Sequence, residues 1–479
     1  MARIVVLGGG ESGCGSAVLA KVKGFDVFLS DRGAIAPKYR GQLEEWRVSY
    51  EEGRHTEELI FDADEVVKSP GIPESAPIVK ALRERGIPVV SEIEFAGRYT
   101  DGSRTICITG SNGKTTTTTL AYEMLRQADL SVGLAGNIGQ SFALEVATEY
   151  FDWYVIELSS FQLDGMYDFR ADVGVLMNIT PDHLDRYDHK LQNYVDSKFR
   201  ILQNQRATDK FVYCADDPLT LENLGRHDRN MEVLPFGVKC TEGCAASLDG
   251  DTIRVRVDGK ELSIGVDELK IKGVHNIYNA MAASIAALSA GVPPESICQT
   301  LRTFTGVEHR LEPCGEYGGV QYINDSKATN VDSVWYALDS MRRPTVWIGQ
   351  GQRLLAALPA RRRPGQDIGL HGCGQCEADA RVRGTHTGDR RHAFAWRSDG
   401  GCGAERRSGG YGVVISGLCE FRPVQKLRAA RRTVQSLGGE TCRREKGPVR
   451  RFGPVVRRVP EACGFERPVH GGAGSRPVR

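Results

Sequence analysis

Along the first 348 residues, short apolar runs end in glycine or a polar residue and give way to helical stretches. The first run, Arg3 to Leu7, enters Gly8-Gly9-Gly10-Glu11-Ser12-Gly13, and Ala17 to Val22 continues as helix, so the chain opens as strand, glycine turn, helix. A second strand over Asp26 to Ser30 ends at Asp31-Arg32, and Glu65 to Gly71 reads as a strand stopped by Pro70 and Gly71. Thr105 to Thr109 repeats the opening pattern and leads into Gly110-Ser111-Asn112-Gly113-Lys114-Thr115. The run Thr115 to Thr119 favours a strand on propensity alone, but the glycine-rich entry and Leu120 to Leu125 predict a helix. Further strands are predicted at Trp153 to Leu158, Val173 to Ile179, Val320 to Ile323 and Pro344 to Ile348. Residues 211–266 read as strand-rich, and Asn276 as the cap of an Ala-rich helix reaching about Ala290. Strands alternating with helices predict an α/β, doubly wound, mostly parallel architecture whose ligands gather at the carboxyl ends of the strands.

The loop Gly110 to Thr115 carries the strongest chemistry. Backbone amides at a helix N-terminus can wrap phosphate oxygens, Lys114 would neutralise the terminal phosphates, and the Thr115 hydroxyl would ligate Mg²⁺. It departs from the common phosphate-loop pattern in having Ile108 where the leading glycine stands. Gly8 to Gly13 matches a dinucleotide fingerprint with Asp31 some twenty residues on, and the same loop could cradle the diphosphate of a nucleotide sugar. Glu157 ends one strand and His183 follows another, so both belong to the rim that the phosphate loop occupies and could hold Mg²⁺ or substrate oxygens. His275-Asn276 with Asn279, His309-Arg310, and Asn324-Asp325-Ser326-Lys327-Ala328-Thr329-Asn330 are polar clusters later in the chain, suited to an active site closing over ATP.

The length of 479 residues predicts about three domains. An apolar fraction of 41% and a charged fraction of 26% are ordinary for a globular protein and exclude collagen-like and coiled-coil classes. No apolar run is long enough to cross a bilayer and the N-terminus does not read as a signal peptide, so a cytoplasmic protein is expected, with its 13 cysteines as reduced thiols. The net charge of +1 conceals a discontinuity. Residues 1–348 hold 36 Lys+Arg against 50 Asp+Glu, a net of −14, whereas the remaining 131 hold 26 against 11, a net of +15. Of those 26 cations 24 are Arg, and 23 glycines accompany them.

Taken together, these segments resemble the Mur ligases of peptidoglycan synthesis over Ile4 to about Ile348. The phosphate loop, Glu157, His183, His275-Asn276 and Asn279 form a pattern shared across that superfamily, folylpolyglutamate synthases included. The segment Asn324 to Asn330 is similar to that of the D-glutamate-adding members. The resemblance implies a Rossmann-like domain over 1–98 for a UDP-sugar, a P-loop-type ATPase domain over 99–305, and the start of a Rossmann-like amino-acid domain over 306–348. It implies that Gly110, Ser111, Asn112, Gly113, Lys114, Thr115, Thr116, Asn276, Asn279, Arg310 and Asp325 bind ATP. Thr115, Glu157, His183 and a carbamylated Lys198 would hold Mg²⁺. Gly10, Ser12, Gly13, Asp31, Arg32, Asn137 and His183 would face the UDP-sugar, while Lys327 and Thr329 stand near the γ-phosphate and the incoming amino acid. Lys114, His183, Lys198 and Lys327 become the catalytic set. The implied reaction is ATP-dependent joining of D-glutamate to UDP-N-acetylmuramoyl-L-alanine through an acyl phosphate, by a monomer with neither nucleic-acid nor membrane partners.

After Ile348 the resemblance stops. Gly349 to Leu355 can be encoded so that a one-nucleotide shift reads Asp-Lys-Gly-Asn-Asp-Tyr, a segment the family should supply there. The same shift over Ile415 to Ala429 permits Ser-Pro-Ala-Cys-Ala-Ser-Phe-Asp-Leu-Phe-Lys-Asn-Tyr-Glu, similar to the family's glutamate-binding segment. Residues 349–479 are therefore expected to be out of frame and disordered, the third domain truncated or scrambled, and activity impaired. Three alternatives stand beside this reading. One is a sister ligase taking another amino acid. A second is a nicotinamide-dependent oxidoreductase using Gly8 to Gly13, against which Lys114 argues. The third is a basic nucleic-acid-binding tail, against which the near absence of Lys argues. Cys373 and Cys376, which would tempt a zinc reading, are accidental on this account.

Overall fold

The computed structural model describes residues 1–227, 230–240, 242–317 and 320–328, then Val334, Ala337, Leu338, Met341 and the backbone of strands at 345–349, 368–372 and 412–416. Three sheets follow one another along the chain. The first holds β1 (Arg3–Leu7), β2 (Asp26–Asp31), β3 (Ser49–Glu52), β4 (Glu65–Lys68) and β5 (Val89–Ser91), all parallel, in the order β3-β2-β1-β4-β5. Its inner strands read as nearly continuous apolar runs because helices cover both faces.

The central sheet has nine strands. β6 (Arg104–Thr109) lies between β8 (Trp153–Glu157) and β9 (Val173–Leu176), with β7 (Val132–Gly136) at one edge. Beyond β9 come β10 (Lys210–Cys214) and β11 (Glu232–Gly237), both parallel. The sheet then turns antiparallel through β12 (Ala246–Asp249), β13 (Thr252–Val257) and β14 (Lys260–Gly265), whose alternating burial marks one covered face. β9 stops at Leu176, three residues short of the expected Ile179, because Met177 to Thr180 peels away to bracket the loop after β6. The threonine run is helical, within Lys114–Gln127, and the hydroxyls of Thr118 and Thr119 bond carbonyls four residues back.

The Ala-rich helix spans Val274–Ser289 and starts on Gly273, whose φ of 102° disfavours any side chain; Asn276 sits inside the first turn and is not the cap expected. The third sheet contains β15 (Glu312–Tyr317), β16 (Val320–Asp325), β17 (Thr345–Gly349), β18 (Ile368–Gly372) and β19 (Gly412–Ser416), in the order β15-β16-β19-β17-β18. β18 and β19 come from the stretch expected to be out of frame, and each pairs in parallel with its neighbours. Cys240 and Cys244 form a disulfide, contrary to the expectation of thiols throughout, while Cys14, Cys107 and Cys214 are buried free thiols. Cys373 and Cys376 lie outside the described residues. Among the described residues no helix is long and apolar enough to cross a membrane.

One apolar core runs through the first and central sheets without a break, from Ile4, Leu29 and Phe95 to Phe142, Tyr154 and Phe169. The short helix Glu92–Gly97 sits at that join. A Cβ on Gly97 would overlap the Phe169 ring, so glycine permits the close approach. Glu94, 1% exposed, accepts hydrogen bonds from the backbone amides of Tyr167, Asp168 and Phe169 at 2.9, 3.1 and 2.9 Å. Three amides on one buried carboxylate fix the first sheet to the central one.

Candidate active site

The loop after β6 is held open by its neighbours. Gly110 has a φ of 147° and Gly113, which precedes the Lys114–Gln127 helix, a φ of 84°, so glycine is required at both. Ser111 donates its amide to the Asn178 carbonyl and its hydroxyl to the Thr180 carbonyl, each at 2.9 Å, and pairs with the Tyr194 hydroxyl at 3.0 Å. Asn112 donates its amide to Asn178 Oδ1 at 2.9 Å and accepts from Asn178 Nδ2 at 3.0 Å. Lys114 Nζ bonds the carbonyls of Gly110 and Ser111 at 2.8 and 2.9 Å, folding its cation over the turn. Thr115 is buried in the first helical turn and Thr116 half-buried beside it.

Glu157 stands at the end of β8, 1% exposed. Asn137 donates its amide to the Glu157 carbonyl at 3.0 Å and its Nδ2 to Oε1 at 2.8 Å, whereas Oε2 is buried with no hydrogen-bond partner. An orphaned carboxylate oxygen beside a phosphate-type loop fits a hard cation, since leaving it unpaired is costly. Lys198, 2% exposed, donates to Thr109 Oγ1 at 3.1 Å and lies over the Tyr194 ring. Burial, then the nearby Lys114 cation, hold its amine well below the ordinary lysine range. Burial likewise lowers Lys114, partly offset by Glu157 and Asp182 and reinforced by Arg310 and Lys327. Those last two come from the third sheet's side of the chain, so cations of two regions act on Lys114.

Arg310 is lowered by burial, opposed by Asp325 and Glu157, and Asp325 is pushed up to about 6 by burial. Asp325 Oδ1 accepts from the Leu311 amide at 3.1 Å, and the Lys327 amide bonds the His309 carbonyl at 3.2 Å, which ties the Arg310 turn to the end of β16. Asn279 Nδ2 donates to Asn276 Oδ1 at 3.0 Å, and Asn279 Oδ1 accepts from Thr117 at 3.2 Å, buttressing the phosphate-loop helix. Thr329 lies outside the described residues. His183 has a φ of 51° and a side chain 53% exposed, with its ring tilted against Phe161, so it keeps to the rim. Among the described residues no three His, Cys, Asp or Glu groups cluster as a metal cage. The donors available are the Glu157 carboxylate and a threonine hydroxyl, which suits Mg²⁺ shared with phosphate oxygens and water.

The glycine loop of the first sheet is built differently. Gly10 precedes the Glu11–Val22 helix with open space before it, and a Cβ on Gly13 would stand 1.8 Å from the Gly8 carbonyl oxygen. Asp31 Oδ2 accepts from the Gly9 amide at 2.5 Å and Oδ1 from the Gly33 amide at 2.7 Å, so Asp31 shapes the loop from within; Arg32 is exposed beside it. Ser69 Oγ, buried without a partner, lies 2.6 Å from where a Cβ on Gly8 would be.

Sequence reasoning did not single out Asn178, Tyr194, Ser69 or Glu92. Asn178 is a polar residue just past a strand end, the same signal that marked Glu157. Tyr194 and Glu92 carry no local signal, because their partners are distant in the chain.

The Mur ligase middle domain matches residues 108–287, and the MurD-like N-terminal domain of Mur ligases matches residues 2–91. The chain is 55% identical over 352 residues to the UDP-N-acetylmuramoylalanine–D-glutamate ligase of Bacteroides thetaiotaomicron, covering 74% of this chain and 79% of that one. To the enzyme of the same name from Porphyromonas gingivalis it is 51% identical over 347 residues, 72% of this chain and 77% of that one. In fold it is similar to the UDP-N-acetylmuramate-alanine ligase of Thermotoga maritima, with a TM-score of 0.54 at 18% identity over 92% of this chain and 100% of that one. A MurF ligase from Thermotoga maritima in complex with ADP gives 0.51 at 14% identity over 87% and 96%. With both domain matches and identities above half over most of its length, the chain belongs to the Mur ligase family.

Proposed function

We propose that the protein uses ATP to join D-glutamate to UDP-N-acetylmuramoyl-L-alanine, the two substrates in the names of its relatives. The observation that carries this reading is Lys114 on the phosphate-type loop, within the electrostatic reach of Glu157, Arg310 and Lys327. All the reactants are anionic, and residues 1–348 carry a net of −14, so a local cation cluster is what brings them together. The alanyl carboxylate oxygen attacks the γ-phosphorus, its bond to the β-phosphate oxygen breaks, and ADP leaves an acyl phosphate. The amine of D-glutamate then attacks the acyl carbon, and the tetrahedral intermediate collapses to the amide with loss of phosphate and the amine's proton. Lys114, Arg310 and Lys327 offset charge on the transferring phosphoryl group, and the buried walls strengthen that effect. Thr115 and Glu157, with Lys198 if carbamylated, would hold Mg²⁺, which supplies charge neutralisation at the phosphates. Gly10, Ser12 and Gly13 receive the diphosphate; Asn137 and His183 flank the path to the alanyl end.

The same reading assigns residues 1–98, 99–305 and 306–348 to sugar-nucleotide, ATP and amino-acid domains, with the reading frame lost near Ile348. Similarity to relatives spans 352 and 347 residues, the length of chain before that point, which supports the slip. The test is a phosphate-release assay with UDP-N-acetylmuramoyl-L-alanine, ATP and D-glutamate on two proteins. The chain as given should bind both nucleotides and turn over little, and a chain with the frame restored after Ile348 should turn over. Equal turnover by both would reject the slip, and no acceptor-dependent phosphate release from the restored chain would reject the ligase reading. For Lys198, ¹³C-bicarbonate labelling should give a carbamate resonance that disappears in Lys198→Arg.

A further inference from the structure

Two buried carboxylates leave the helix Glu92–Gly97 at the join of the first and central sheets. Glu94 is fully accounted for by three amides and Arg98. Glu92, 1% exposed, is placed otherwise: among the described residues no cation pairs with it. Its Oε1 accepts from the Ser141 hydroxyl at 2.5 Å and from the Ala143 amide at 3.1 Å, while Oε2 is buried with no hydrogen-bond partner. Gly15 belongs to the Glu11–Val22 helix that the first glycine loop opens, and Ser141 caps the Phe142–Thr148 helix through the Leu144 amide at 3.2 Å. The loop ending at Ser141 is the one that carries Asn137 to Glu157. At this point the two regions touch so closely that a Cβ on Gly15 would overlap Ser141 Oγ.

A carboxylate buried without a cation is expensive, and apolar packing would have joined these helices more cheaply. What Glu92 offers instead is direction. The Ser141 hydroxyl and the Ala143 amide must meet one group fixed on the helix Glu92–Gly97 while Ser141 packs against Gly15, which sets the Asn137 loop against the helix that the first glycine loop opens. We propose that Glu92 is a positioning residue that sets the Gly10–Gly13 loop against the Asn137 loop, so that one sugar nucleotide held by the first presents its far carboxylate at Glu157. This rests on the sugar-nucleotide reading given above.

The two loops read different parts of the ligand, which supplies the test. UDP alone needs only the first loop, and UDP-N-acetylmuramoyl-L-alanine must reach both. In the full chain, calorimetry would give dissociation constants for UDP, UDP-N-acetylmuramoyl-L-alanine and ATP with Glu92→Ala, Glu92→Gln and Ser141→Ala. Misplacement should weaken the long ligand about tenfold in Glu92→Ala while UDP and ATP change less than about twofold. Glu92→Gln, which still offers a carbonyl oxygen to Ser141 and Ala143, should recover most of the loss. If Glu92→Ala does not fold, Ser141→Ala carries the comparison, with about a threefold loss confined to the long ligand. Equal weakening of UDP and the long ligand, or no change in either, would overturn the positioning role. Failure of the unmutated chain to bind UDP-N-acetylmuramoyl-L-alanine would instead overturn the sugar-nucleotide reading.

Discussion

Two glycine loops, each between a parallel strand and a helix, have been put to different uses in this chain. Gly8 to Gly13 is held from within: Asp31 takes the Gly9 and Gly33 amides, and Gly13 presses on the Gly8 carbonyl. Gly110 to Gly113 is held from outside by Asn178, Thr180 and Tyr194, and its lysine sits among Glu157, Asp182, Arg310 and Lys327. The first loop contributes shape and backbone amides; the second adds concentrated charge. A glycine pattern therefore fixes where a phosphate can sit, and the groups that bracket it decide whether chemistry follows.

If that contrast is right, removing charge and removing shape should fail differently. Lys114→Ala should have the largest effect, weakening ATP about a hundredfold or more while UDP-N-acetylmuramoyl-L-alanine binding stays nearly constant, as titration of each ligand would show. A comparable loss for both ligands would erase the distinction. Gly13→Ala should do the reverse. Its Cβ meets backbone and not a flexible side chain, so the loop must move, at about 2 kcal/mol of stability. The sugar nucleotide should weaken about thirtyfold with ATP untouched, measured by the same titrations beside thermal unfolding.

How much of this was legible beforehand differs between the loops. Both openings, the helix over the threonine run and the α/β architecture follow from local pattern, because strand-loop-helix geometry is written within a dozen residues. Glu157 was legible as a polar residue ending an apolar strand. Asn276 was misread as a cap because the sequence shows a capping residue type but not the left-handed φ of Gly273. Asn178 was passed over because its partner, Asn112, lies 66 residues earlier. That omission gives a third prediction: Asn178→Ala removes two bonds to Asn112 and should weaken ATP about tenfold. The sugar nucleotide should not respond, and a response there would mean the brackets are shared between the loops.

Asp31→Asn is the smallest change and the most discriminating. Sequence pattern casts Asp31 as a group that reads the ligand, whereas its two oxygens already accept from Gly9 and Gly33. An asparagine keeps one acceptor oxygen and turns an NH₂ toward the other amide, so one backbone donor loses its partner and the loop relaxes. The expected cost is about 1 kcal/mol, or about fivefold in UDP-N-acetylmuramoyl-L-alanine affinity, with UDP affected to the same degree because the first loop alone is disturbed. A loss as large as that of Lys114→Ala would mean that Asp31 lets go of Gly9 and bonds the ligand itself, and the first loop would then act through a charge of its own.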